Sequence, residues 1–171
     1  YPDLDDTAVV VMAMDRARGR GAGTKYDEAI ARGREWIEGL QSRDGGWAAF
    51  DADNLEYYLN NIPFSDHGAL LDPPTDDVTA RCVSMLAQLG DTVARGVEYL
   101  RRTQLADGSW FGRWGVNYIY GTWSVLCALN AAGVPHDDPA VAKAADWLIA
   151  IQNEDGGWGE DGNSYRLDYK G

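Results

Sequence analysis

Three aspartates lie within the first six residues, at Asp3, Asp5 and Asp6. Carboxylates this close repel one another when all are ionised, so we expect the group to retain at least one proton, with pKa values that belong to the cluster as a whole. A carboxyl group that stays protonated can deliver its proton as a general acid. The spacing therefore marks this cluster as a candidate proton donor.

The same aspartates have two other interpretations, a helix N-cap and a divalent-metal site. Asp and Thr are favoured at N-caps, and Asp6 followed by Thr7 could fill that position at the start of a helix. Carboxylate clusters also bind magnesium beside phosphate substrates. Taken alone, the motif does not separate these interpretations from an acid.

The composition restricts the partners. The 171 residues carry 15 Lys and Arg against 27 Asp and Glu, a formal charge of −12, which disfavours nucleic acid and anionic lipid as partners of this portion. Cys82 and Cys127 lie in apolar runs without metal-site spacing, and we interpret both as small buried residues. No apolar run reaches the roughly 18 residues that predict a membrane-spanning helix.

One unit occurs three times along the chain, at 36–47, 99–110 and 147–158. In each copy an aromatic residue is followed by Gln after five positions, by Gly after four more and by Trp after another two. The Gln and Trp members are Gln41, Trp47, Gln104, Trp110, Gln152 and Trp158. We interpret each pair as a structural clamp between repeats, in which the Gln amide bonds free backbone groups at a helix end and the Trp ring stacks on it.

Helical apolar spacing predicts six helices that alternate with these units. Their expected bounds are 7–18, 26–40, 77–89, 92–103, 120–132 and 139–151. Gly19, Gly90 and Gly133 are expected to end the odd-numbered helices, and Asp138 is expected to cap the last one ahead of a proline. Helix pairs repeated in this way bury their faces against their neighbours and wrap into a solenoid or ring, so the predicted fold class is all-α, an α/α toroid.

The Gln-x3-Gly-x-Trp units resemble the QW motifs of squalene and oxidosqualene cyclases. With the aspartate segment 2–8, and with segments 60–64, 72–74, 76–80 and 110–118, the chain is similar to squalene–hopene cyclases in particular. The resemblance implies one domain over 1–171, an incomplete α/α ring from the catalytic, C-terminal half of such an enzyme. It also implies an isomerase without metal or cofactor, which converts squalene to hopene, and to hopanol where water captures the last cation.

Within this resemblance Asp5 is the proton donor, in a cluster with Asp3 and Asp6. Many family members have a histidine four residues after the aspartate that stands here as Asp77, and this chain has Arg81 in its place. Asp77 and Arg81 lie one helical turn apart and face the same way. We expect Arg81 to donate to Asp5 with Asp77 orienting it, although a permanent guanidinium charge also pulls Asp5 towards ionisation.

The carbocations that follow protonation require electron density that is not nucleophilic, which aromatic faces supply at on the order of 2 kcal/mol per desolvated ring. The resemblance places Trp114 and Tyr120 near the donor, and Phe50 where relatives carry a tyrosine. Phe64 and Ser65 resemble the throat of the substrate channel, where Ser65 replaces a cysteine. For each ring taken singly, core packing is the alternative.

Three alternatives to this function are an oxidosqualene cyclase, a class II diterpene cyclase, and a non-catalytic α/α toroid with a binding or structural role. The resemblance further implies that the full-length enzyme is a monotopic homodimer on the cytoplasmic side of the cell membrane, where it takes squalene from the bilayer. Because the chain opens on a motif and closes in a polar stretch, we expect it to be a piece of a longer protein, soluble and inactive by itself.

Overall fold

The computed structural model describes residues 3–63, 71–166 and 170. Its six α-helices are α1 (Leu4–Ala17), α2 (Asp27–Gly39), α3 (Asp76–Gln88), α4 (Ala94–Thr103), α5 (Tyr118–Ala131) and α6 (Pro139–Ala150). A π-type turn at Arg18–Ala22 and 3₁₀ turns at Tyr57–Asn61 and Gly162–Tyr165 lie in the connections. The described residues contain no strand, only a single antiparallel bridge between Asn54 and Asp72.

The helices form two layers. Helix α3 packs between α1 and α5, whereas α2, α4 and α6 each pack against the helix that precedes them. The odd-numbered helices therefore form one layer and the even-numbered helices the other, as in an arc of an α/α toroid, and the predicted fold class is confirmed. Helix α3 has neighbours on three sides, and its Val78, Val83 and Met85 are fully buried. Among the described helices, none is both long and apolar enough to cross a membrane.

The helix ends follow local signals with one exception. Asp138 caps α6 as predicted, by accepting a backbone N–H of the first turn. Gly90 and Gly133 adopt φ values of 88° and 73° and close α3 and α5 with paired N–H to C=O bonds of the Schellman type. The prediction for Gly19 is wrong, because the π-type turn carries the chain past it and the left-handed conformation falls at Gly21, with φ 104°.

The three Gln/Trp units share one geometry. Each Gln side-chain nitrogen donates to the carbonyl of the turn glycine, at 2.7 to 3.0 Å, and each indole N–H donates to a carbonyl in the last turn of the preceding helix, at 2.7 to 2.8 Å. The Gln–Gly pairs are Gln41–Gly45, Gln104–Gly108 and Gln152–Gly156, and the Trp–carbonyl pairs are Trp47–Ile37, Trp110–Leu100 and Trp158–Leu148. At the end of the preceding helix the carbonyl is therefore bonded by Trp and not, as predicted, by Gln, which closes the turn. Gln104 does bond a helix end as predicted, because its side-chain nitrogen also donates to the Ala140 carbonyl in the first turn of α6, at 2.9 Å.

The units also connect consecutive repeats. The backbone N–H of Trp47 donates to the Thr79 hydroxyl on α3 at 2.9 Å, and that of Trp110 donates to the Thr122 hydroxyl on α5 at 3.0 Å. Both rings are buried against these helices, whereas Trp158 is 47% exposed. The predicted tie between repeats is thus present at the first two units.

The two cysteines differ in their surroundings. Cys82 is buried on α3, as expected, but Cys127 on α5 is exposed. The prediction for Cys127 is wrong because α5 is apolar on more than its packed side, which is formed by residues such as Val125, Ala128 and Leu129.

Candidate active site

The acid motif forms the start of α1. Asp3 is the N-cap: its Oδ1 accepts the backbone N–H of Asp6 at 2.7 Å, and the Thr7 hydroxyl donates to the Asp3 carbonyl at 2.6 Å. The cap predicted at Asp6 therefore lies at Asp3, because the helix begins three residues earlier than expected. Asp5 takes no part in this cap.

Asp5 faces Arg81 across the contact between α1 and α3. Its Oδ1 lies 3.4 Å from Nε of Arg81, and the two side chains are 28% and 24% exposed. Both atoms are shielded from solvent, yet no hydrogen bond joins them. Such a contact stabilises a carboxylate less than the two parallel N–H bonds that a guanidinium can offer. The two side chains are brought together as expected, but as an ion pair without a hydrogen bond.

The pKa of Asp5 is raised above its ordinary value. Burial is the largest cause, because removal from water penalises the charged form. The positive charge of Arg81 lowers the pKa, and the negative charges of Asp77, Asp3 and Asp6 raise it. The expected pull of Arg81 towards ionisation is present but is outweighed. Asp5 therefore keeps its proton to higher pH than an exposed aspartate, as a general acid must.

Asp77 has a different role from the predicted one. The sequence predicts that it orients Arg81, but its Oδ2 accepts the backbone N–H of Trp114 at 2.7 Å and its Oδ1 accepts that of Val78 at 3.0 Å. Asp77 is buried in the first turn of α3, where its carboxylate meets the 110–117 loop. It therefore positions the segment that carries Trp114.

Phe50 and Trp114 stand beside the acid cluster. Their rings meet edge to face, with centroids 5.9 Å apart and planes at 88°. The Phe50 backbone N–H donates to Asp72, which also accepts N–H groups of the two flanking residues and so fixes this loop. A pocket of about 80 Å³ separates the rings from the acids, and it is lined by Asp3, Asp5, Asp6, Ala49, Phe50, Val78 and Trp114.

Helix α5 supplies two aromatic residues next to Arg81. The guanidinium carbon lies 4.9 Å from the centre of the Trp123 ring, and this ring meets Tyr120 edge to face at 5.8 Å. Burial raises the pKa of Tyr120, and a hydrogen bond with Arg81 opposes this rise. Sequence reasoning identified Tyr120 but missed Trp123, although a position three residues further along a helix lies on the same face.

The structure unites most of the predicted site. The acids, Arg81 and the rings of Phe50, Trp114 and Tyr120 converge, whereas Phe64 and Ser65 lie outside the described residues. Asp72 was indicated only as part of a family-like segment, and its hold on the loop became visible through its hydrogen bonds. Within residues 3–63 and 71–166, no set of three or more His, Cys, Asp or Glu side chains is arranged to hold a metal ion.

Comparison with known proteins relates the whole chain to one family. The model of the squalene-hopene cyclase C-terminal domain matches residues 1–171. Over 177 residues the chain is 77% identical to a squalene–hopene cyclase of Bradyrhizobium diazoefficiens and 63% identical to one of Zymomonas mobilis, covering 100% of the chain and 27% of each relative. A dammaradiene synthase of Dryopteris crassirhizoma is 44% identical over 188 residues, which cover 96% of the chain and 27% of that protein. The chain spans about a quarter of the length of these relatives.

Proposed function

The chain belongs to the squalene–hopene cyclase family, and from this premise we propose that it forms the acid-bearing part of a class II triterpene cyclase that converts squalene to hopene. Asp5 is the proton donor. The observation that carries the proposal is the position of Asp5, a carboxyl group whose pKa burial raises, in one pocket with the rings of Phe50 and Trp114.

The first step transfers the Asp5 proton to a terminal alkene carbon. The alkene π electrons form the new C–H bond, the O–H electrons remain on Asp5 as a carboxylate, and the neighbouring carbon becomes a cation that the next double bond attacks. Burial holds the acid protonated before this step, and Arg81, 3.4 Å away, stabilises the carboxylate that the step creates. Loss of a proton from the last cation yields hopene, so the net reaction is an isomerisation.

Aromatic faces then stabilise the positive charge without trapping it. Phe50 and Trp114 line the pocket with Asp5, and each desolvated ring supplies on the order of 2 kcal/mol of cation–π attraction. Asp72 fixes the loop of Phe50, and Asp77 fixes that of Trp114. The two buried carboxylates are thus positioning residues for the rings.

The proposal includes the setting of the reaction. The chain is part of the catalytic half of the cyclase, which works without metal or cofactor, as a homodimer on the cytoplasmic face of the cell membrane. The family relationship and the apolar nature of squalene, which partitions into lipid, support this location. Cell fractionation of a full-length cyclase that contains this chain tests the membrane location, and measurement of its molar mass in detergent tests the homodimer.

Substitution of the donor tests the chemistry. In a full-length cyclase that contains this chain, Asp5→Asn should reduce hopene formation from squalene by about 10² to 10⁴-fold, the usual contribution of a general acid. Gas chromatography measures hopene and separates it from hopanol or another triterpene. Asp146→Asn, which alters an exposed carboxylate on α6, is the matched control and should retain wild-type activity. Wild-type activity in Asp5→Asn would refute the assignment of the donor.

A further inference from the structure

Arg81 is held from two sides by different helices. From α1, Asp5 presents one carboxylate oxygen to Nε at 3.4 Å. From α5, Trp123 presents its ring face to the guanidinium, whose central carbon lies 4.9 Å from the ring centre. Arg81 itself belongs to α3, which packs between these helices. Its side chain therefore bridges the three neighbouring helices of one layer.

The contact with Asp5 is weaker than Arg81 can make. A guanidinium is planar and presents a rigid fork of N–H groups that matches the two oxygens of a carboxylate. Here the closest approach, from Nε of Arg81 to Oδ1 of Asp5, is 3.4 Å and forms no hydrogen bond, although both atoms are shielded from water. The ring of Trp123 holds the guanidinium plane through cation–π attraction, while Tyr120 braces that ring edge to face and interacts with Arg81 from the same helix.

We propose that Trp123 is a positioning residue for the proton donor: it holds the Arg81 guanidinium over its ring and so keeps Arg81 from forming hydrogen bonds with Asp5. This inference rests on the proposed function, because the restraint matters only if Asp5 donates a proton. Trp123 acts through Arg81 and not through contact with the reacting atoms.

The restraint determines how much positive charge Asp5 meets. A guanidinium released from Trp123 can turn its fork onto Asp5, and two charge-assisted hydrogen bonds favour the carboxylate form and lower the pKa. The titratable and charged groups that act on Asp5 or meet its charge are Asp3 and Asp6 from α1, Asp77, Arg81 and Cys82 from α3, and Tyr120 from α5. Arg81 is the positively charged member of this set, so its orientation controls how far the pKa of Asp5 is lowered.

The pH profile of the reaction tests the role of Trp123. Because Asp5 works in its protonated form, kcat/KM for squalene falls as pH rises through its pKa. In a full-length cyclase that contains this chain, Trp123→Leu should move this alkaline limb to lower pH by roughly one unit, whereas Trp123→Phe, which keeps a ring face, should move it by no more than about 0.3. An unmoved limb in Trp123→Leu overturns the inference.

A second background separates positioning from simple packing. In Arg81→Leu, which has no guanidinium to hold, adding Trp123→Leu should leave the alkaline limb where Arg81→Leu puts it; an equal shift in both backgrounds would overturn the inference. Trp123 is 39% exposed, so its truncation should be tolerated, and Trp123→Gln tests the same loss of the ring if the Leu variant misfolds. Absence of cyclised product from the wild type would reject the proposed function, whereas an active wild type with an unmoved limb in Trp123→Leu rejects the role of Trp123 alone.

Discussion

At Gly121 on α5 the backbone of the loop that carries Trp114 packs directly against the helix. A Cβ added to Gly121 would stand 2.5 Å from the carbonyl oxygen of Trp110, 2.8 Å from the carbonyl carbon of Phe111 and 2.9 Å from the nitrogen of Gly112. All three are backbone atoms, so no side-chain rotation relieves the clash. Because Cβ contacts below 3.0 Å essentially never occur, Gly121→Ala must move the loop by at least about 0.5 Å.

The expected magnitude combines two opposing effects. Over-packing a core position costs about 1 to 3 kcal/mol, and the upper end applies here because the backbone must shift. Alanine returns about 1 kcal/mol through its better helix propensity, so we expect a net loss of about 2 kcal/mol in the free energy of unfolding. The same shift moves Trp114 relative to Asp5. A displacement of 1 Å can cost about 100-fold in rate, so a displacement of about 0.5 Å should cost about tenfold.

Urea denaturation followed by circular dichroism measures the loss of stability, and gas chromatography of squalene products measures the rate in a full-length cyclase that contains this chain. Gly39→Ala is the control, because the Cβ added at the end of α2 meets no atom within 4 Å. Its stability should be unchanged or rise by up to about 1 kcal/mol. A Gly121→Ala variant as stable as Gly39→Ala would refute the close-approach argument, and undiminished activity would refute the link between loop and site.

Trp110→Phe removes the N–H that bonds the Leu100 carbonyl, and urea denaturation should show a loss of about 1 to 3 kcal/mol in the free energy of unfolding. Trp158→Phe should lower this free energy less, because water can reach the carbonyl that Trp158 bonds. Equal losses in the two variants would contradict this reasoning. Burial raises the pKa of Asp76 to about 7, against a hydrogen bond from Thr103, so the folded protein holds a proton that the unfolded chain releases near 3.8. The stability contributed by protonated Asp76 is complete below about pH 4 and is lost as pH rises towards about 7. Asp76→Asn should therefore make the thermal midpoint depend less on pH over this range. An unchanged pH dependence in the variant would show that Asp76 does not titrate there.

The sequence alone determined the helices and their repetition, because these depend on local signals. Apolar spacing placed α1 to α6 to within a few residues, and Asp138, Gly90 and Gly133 end or begin helices through bonds to near neighbours in the chain. The repeat spacing likewise predicted three similar clamps, and the closeness of the three aspartates predicted a cluster that retains a proton, with a helix cap and a metal site left open as alternatives. Each of these features involves residues separated by only a few positions.

Tertiary packing decided the partners of individual atoms. The sequence could not show that Asp77 accepts the Trp114 N–H while Arg81 packs over the Trp123 ring. These contacts join α3 to a loop and a helix more than 30 residues away. Charge repulsion within the motif predicted that the cluster retains a proton, but the largest cause of the raised pKa of Asp5 is burial. Burial depends on which helix faces meet, and that is settled only when the whole layer is assembled.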